Sequence, residues 1–82
     1  MKHRIDFKPR ALKDLKALPP AEYRRIASKI EGLEDGLTGD VKKLTNFTPE
    51  YRLRVGNYRV LFEVESGAVV VYRVLHRKDA YQ

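Results

Sequence analysis

The sequence predicts an α+β domain: an antiparallel sheet of about four strands with an N-terminal helical hairpin packed on one face, in the order β-α-α-β-β-β. Three observations carry that expectation. Apolar residues between positions 11 and 33 recur at helical spacing. From residue 51 to residue 76 the pattern changes to strand-like alternation. Two turn signals, Gly56-Asn57 and Ser66-Gly67, divide that second region into three strands. With 82 residues, the chain has the length of a single domain, residues 1–82, with one modest core.

The elements follow in order. "HRIDF", residues 3 to 7, alternates with Ile5 and Phe7 on one side and reads as a short strand. Pro9 suits the first turn of a helix, where its missing N–H costs nothing. "PRALKDLKAL" then sets Ala11, Leu12, Leu15 and Leu18 on one face. Pro19 ends this helix and Pro20 starts the next. In the second helix Tyr23, Ile26, Ala27, Ile30 and Leu33 keep the spacing, and Gly36 is the stop. Residues 37–49 read as a long connection tethered by Val41 and Leu44 and carrying Lys42 and Lys43. Three strands complete the chain. The last, "AVVVYRVL", is nearly continuous in apolarity, as an interior strand is.

The formal charge is +6. A basic surface favours polyanions: nucleic acid, anionic lipid or an acidic protein. Residues 1–36 hold nine Lys/Arg and six Asp/Glu, and residues 37–82 hold eight and five, so each half carries +3. Any functional signal therefore lies in local placement. The absence of cysteine removes disulfides and thiolate metal sites and fits a reducing cytoplasm. "MKHRIDFKPR" lacks the apolar stretch of a signal peptide, and "AVVVY" is too short to span a bilayer. A cytoplasmic protein without membrane attachment is the expectation. No His/Asp/Glu cluster has metal-ligand spacing. Neither a Gly-rich phosphate loop nor a nucleophilic Ser or Cys motif is present.

The strongest local signal is "YRLRVGNYRVLFEV", residues 51 to 64. A two-residue Gly-Asn turn sets Val55 opposite Tyr58 and Arg54 opposite Arg59. Side chains then sort by parity. Tyr51, Leu53, Val55, Tyr58, Val60, Phe62 and Val64 share the face that meets the helices. Arg52, Arg54, Arg59, Leu61 and Glu63 share the other. Like charges directly opposite each other are destabilising. Two guanidinium groups side by side also form a fork suited to phosphate. A wet basic face and an anion site both satisfy this pattern.

The last strand leaves a second choice open. If Ser66-Gly67 is a plain two-residue turn, Val70, Tyr72, Val74 and His76 join the arginine face and Arg73 points into the core. A three-residue turn or a bulge reverses that parity and frees Arg73. The tail "HRKDAYQ" adds His76, Arg77, Lys78 and Tyr81. His76 titrates near neutrality. Tyr81 is a packing residue, a base-stacking platform or a proton donor.

In element order, and in "DVKKLTN", "YRLRVGNYRVLFEV" and "VVVYRVLHRKDAY", the chain resembles the RelE/ParE superfamily of toxin–antitoxin toxins over nearly its whole length. Within it the RelE branch is the more similar. The resemblance implies a ribosome-dependent mRNA interferase, held inactive by a cognate antitoxin and acting on mRNA in the ribosomal A site. It needs no cofactor and no metal. Cleavage in that family runs by attack of a ribose 2′-OH on the adjacent phosphate. By matching motif positions, the resemblance makes Arg59 and Arg77 phosphate-contacting catalytic residues, with His76 and Tyr81 as acid–base candidates. Arg52 and Arg54 stand where some relatives carry lysine. Arginine effectively never deprotonates in proteins, so here these two fit as phosphate clamps. Lys42, Lys43 and Lys78 complete the expected RNA-binding set. Two other functions are compatible with the sequence: ParE-type, non-enzymatic inhibition of DNA gyrase, and RNA binding without catalysis.

Overall fold

The computed structural model describes residues 3–37, 39–44 and 49–80. Strand β1 (Arg4–Phe7) leads into helices α1 (Pro9–Lys16) and α2 (Pro20–Glu31), the second extended by a 3₁₀ turn at Gly32–Asp35. Four strands follow: β2 (Val41–Lys43), β3 (Tyr51–Val55), β4 (Tyr58–Glu65) and β5 (Ala68–His76). The expected helical hairpin and β3–β4–β5 meander are present. The sheet has five strands in the order β1-β5-β4-β3-β2, one more than the sequence indicated. The addition is β2, three residues within the expected connection, pairing antiparallel with β3. Strand β1 joins β5 in parallel, so the sheet is mixed.

Both helices begin with proline at the first position, and neither has a side-chain cap. Their stability comes from the sheet they cover, as expected for such short helices. Ala11 and Leu15 of α1, and Ile26 and Ile30 of α2, are buried with Leu33. From the sheet side come Leu53, Val55, Val60, Phe62, Val69, Val71 and Val74, with Tyr51, Tyr58 and Val64 packed at the margin. This is the face that hairpin parity assigns to the core. Phe62 is fully buried and stacks on Tyr51, with ring centroids 5.4 Å apart. Truncating a side chain so placed costs about 3–5 kcal/mol.

Leu12 and Tyr23 depart from the sequence expectation of a continuous apolar stripe. Each is 44% exposed. They line an open groove with Ile5, Phe7 and Ile30, because α1 packs chiefly on β5 and α2 on β3, rather than on each other. Among the described residues, no helix is long and apolar enough to cross a membrane.

The last strand settles the choice left open by its sequence. Ser66 and Gly67 form a two-residue turn, both with positive φ, which sets Glu65 opposite Ala68. Pairing then shifts between Leu61 and Phe62: Phe62 faces Val71, whereas Leu61 faces Arg73. Tyr72 is the extra residue of a β-bulge. Beyond it Val74 enters the core opposite Val60, and Arg73 faces Leu61 on the arginine side. Turn and bulge occur together, so the side chains beyond Tyr72 change faces.

Candidate functional site: an arginine row on the open sheet face

The sheet face away from the helices is ordered by the strand register. Arg54 pairs with Arg59, and Arg59 with Leu75. One row further, Lys42, Arg52, Leu61 and Arg73 align across β2, β3, β4 and β5. Beyond these, Glu63 faces Val70 and Glu65 faces Ala68. The face is therefore polarised, with cations toward the Gly56-Asn57 turn and carboxylates toward the opposite end.

Gly56 makes the turn tight. Its φ of +57° is a conformation L-residues rarely adopt, and a Cβ there would meet Arg25 Nη2 at 2.5 Å. Arg25, on α2, thus lies against the hairpin tip. It also pairs with Glu22 at 3.0 Å. No local pattern signals that contact, since it joins residues distant in the chain.

The arginines differ in what already holds them. Arg59 Nη1 donates to the carbonyls of Gly56 and Tyr58 at 3.1 and 3.0 Å. These bonds bind the guanidinium to its own turn while its other N–H groups remain for a ligand. Arg54 is exposed, and no side-chain hydrogen bond or ion pair holds it among the described residues. Arg77 donates its backbone N–H to Asn57 at 2.8 Å, which fixes the start of the tail beside the same turn. Arg54 and Arg59 therefore face each other beside the hairpin tip, and the backbone of Arg77 is held at the same turn.

Arg52 is more committed. Nη1 lies 3.3 Å from the Asp40 carbonyl and 3.4 Å from Asp40 Oδ1, and only 12% of the side chain is exposed. Lys42 is exposed on the same face, opposite Arg52. Lys43 falls on the other parity, opposite Tyr51, and pairs with Glu50 at 3.6 Å. The register thus separates the two neighbouring lysines. His76 pairs with Tyr58 rather than Arg59, and its ring meets Tyr58 edge-on with centroids 5.4 Å apart. Its Nδ1 accepts the Lys78 backbone N–H at 3.3 Å. His76 accordingly shares the Tyr58 side of the sheet and not the arginine side. Lys78 is exposed in the turn after β5. Tyr81 lies outside the described residues.

Asp14 was not readable as part of this arrangement. It accepts from Arg73 Nε at 2.8 Å, from Arg73 Nη2 at 3.1 Å and from the Val74 N–H at 2.9 Å. Burial alone would raise its pKa. The Arg73 hydrogen bond, the Val74 N–H and the charges of Arg73 and Arg10 outweigh that and hold the carboxyl below its usual value. The same bond to Asp14 raises the pKa of Arg73. The signal in the sequence was indirect: an arginine in an otherwise apolar strand needs a carboxylate, but its position could not be read.

At the hairpin tip two arginines lie opposite each other, and among the described residues no carboxylate is paired with either. Such a cluster can clamp a phosphate and neutralise charge that develops on its oxygens.

The chain is similar to known proteins in both sequence and fold. Residues 5–81 match the sequence profile described as the ParE toxin of type II toxin–antitoxin system, parDE. The protein called Toxin RelE3 of Methanocaldococcus jannaschii is 37% identical, over 95% of this chain and 94% of its own. Among solved structures, the RelB-RelE antitoxin-toxin complex from Methanococcus jannaschii contains a chain with a TM-score of 0.77 and 38% identity, covering 93% of this chain and 94% of that one. The archaeal RelE-RelB complex from Pyrococcus horikoshii OT3 gives a TM-score of 0.79 at 30% identity, over 98% of this chain and 100% of that one.

Proposed function

The chain belongs to the ParE toxin family of type II toxin–antitoxin systems and is a toxin of that class, and from this premise we propose that it is an endoribonuclease cleaving mRNA in the ribosomal A site. The observation carrying this reading is the pairing of Arg54 with Arg59 at the hairpin tip, with Arg77 fixed beside the same turn.

The reaction takes a proton from a ribose 2′-OH. The oxygen attacks the adjacent phosphorus, the bond to the 5′-oxygen breaks, and that oxygen accepts a proton. A 2′,3′-cyclic phosphate and a 5′-hydroxyl result. Arg59, already anchored to its own turn, holds the non-bridging oxygens with little reorganisation. Arg54 and Arg77 add charge to the same phosphate. Arg52 and Lys42 support the RNA backbone one row away. The arginines cannot serve as base, so proton transfer falls to the C-terminal residues, Tyr81 foremost. The ribosome supplies the near-attack geometry of the 2′-OH, and positioning of that kind is worth about 7–11 kcal/mol in well-oriented systems.

The solved relatives are complexes of RelE with RelB. By that likeness this chain has a cognate antitoxin that covers or neutralises the arginine row.

Ribosome-programmed mRNA cleavage, read by primer extension, tests the proposal. Wild type cleaves and Arg59→Ala does not; equal cleavage by both removes Arg59 from the site. The name of the matched family profile favours a second reading, ParE-type inhibition of DNA gyrase. Its signature is stalled gyrase–DNA complexes with intact mRNA.

A further inference from the structure

A separate cavity of about 450 Å³ opens where α1 meets the bulge of β5, lined by Lys8, Pro9, Arg10, Pro49, Tyr72 and Arg73. Its chemistry differs from that of the hairpin tip. Tyr72 offers an aromatic face, and its hydroxyl donates to Glu65 at 3.2 Å, which fixes the ring. Lys8 Nζ stands 5.2 Å from the ring centroid. Arg10 is exposed, and no side-chain hydrogen bond or ion pair holds it among the described residues. Arg73 forms the wall, with Nε and Nη2 on Asp14 and Nη1 left over. Cations around a fixed aromatic ring suit a nucleotide: the ring stacks on a base and the cations take the phosphate.

The bulge places this cavity on the same face as the arginine row. Arg73 faces Leu61 and Leu75 faces Arg59, so Arg73 lies two residues along β5 and one strand across from Arg59. At ordinary sheet spacings that is roughly 8 Å between Cα atoms, within reach of one continuous strand of RNA. Without the bulge Arg73 would point into the core and the cavity would lose its wall.

We infer that this cavity is a second nucleotide subsite for single-stranded RNA, in which Tyr72 stacks on a base and Lys8 and Arg10 hold the neighbouring phosphate. It rests on the reading of the chain as an RNA-cleaving toxin and extends it by giving the RNA a path across the sheet. A base sliding over Tyr72 displaces the Lys8 ammonium from the ring and frees it for phosphate.

NMR titration with hexauridylate at low salt tests the subsite without any cleavage. The expected result is perturbation of Arg10, Tyr72 and the Arg73 Nε–H. Lys8→Ala with Arg10→Ala, both at exposed positions, weakens binding about tenfold and reduces the salt slope by about 1.4, two lost phosphate contacts on a single strand. Tyr72→Leu weakens binding about fivefold with the slope unchanged, as loss of stacking does. The subsite is overturned if the double variant binds with wild-type affinity and slope, or if hexauridylate perturbs none of these residues. If Arg59-dependent mRNA cleavage persists in that case, the RNA-cleaving reading survives alone. If the residues respond as expected but ribosomes yield no cleaved mRNA, the subsite stands and the nuclease reading fails.

Discussion

Asp14 in α1 and Arg73 in β5 lie 59 residues apart in sequence and form a two-point ion pair at 2.8 and 3.1 Å. The same carboxylate accepts the Val74 N–H, on the stretch of β5 beyond its pairing with β1. One side chain therefore binds helix to sheet, satisfies an edge N–H and pairs the arginine that the bulge turns out of the core. Asp14→Asn is expected to destabilise the fold by about 2 kcal/mol, the range for hydrogen bonds to charged groups. For a domain of this size that lowers Tm by about 10 °C. Thermal unfolding by circular dichroism measures it. A shift of a degree or two would make the pair ornamental.

The same pair gives stability a pH dependence of known sign. Asp14 titrates below its ordinary value of 3.8 in the folded state. Its contribution is complete above the unfolded value and disappears as pH falls through the lower folded one. The stability gap between wild type and Asp14→Asn should be constant near neutrality and close below about pH 4. Denaturant titrations at a series of pH values test this. A gap that widens in acid contradicts it.

Arg54 and Arg59 face each other with like charge. Removing either relieves repulsion of below about 1 kcal/mol. Arg54→Ala should therefore unfold no more easily than wild type, while its mRNA cleavage falls by about 10²-fold, the scale for one lost transition-state donor. Stability and activity moving together would instead mark Arg54 as a structural residue.

Gly56→Ala is expected to cost about 1–2 kcal/mol from the left-handed backbone alone. The added Cβ also displaces Arg25 from the turn. Because this turn sets the Arg54–Arg59 pairing, cleavage should fall as well. Amide exchange at Tyr58 and Val55 reports whether the register has loosened.

His76 packs edge-on against Tyr58, away from the arginine row. His76→Ala is expected to lower stability by about 1 kcal/mol, as for a lost aromatic pair. Ribosome-programmed cleavage should change little, whereas loss of a general acid or base costs about 10²–10⁴-fold. A loss that large would return His76 to the chemistry.

The helical hairpin, the meander, the helix-facing set from Tyr51 to Val64, and the opposition of Arg54 and Arg59 are all legible in the order of residues. These rest on local rules: helical spacing, strand alternation and a two-residue turn that fixes register. The rest depends on contacts between segments distant in the chain. Strand β2 is three residues long and exists because β3 has an open edge to pair with. The place of Arg73 depended on a one-residue bulge, which reverses side-chain parity without a periodic signature. The same bulge put His76 on the Tyr58 side and let Arg73 wall the second cavity. Carboxylates distant in the chain then fixed which arginines are committed: Asp14 holds Arg73 and Asp40 holds Arg52. Alternation reveals which residues share a face only until one residue is added. Past that point, the partner across the fold decides.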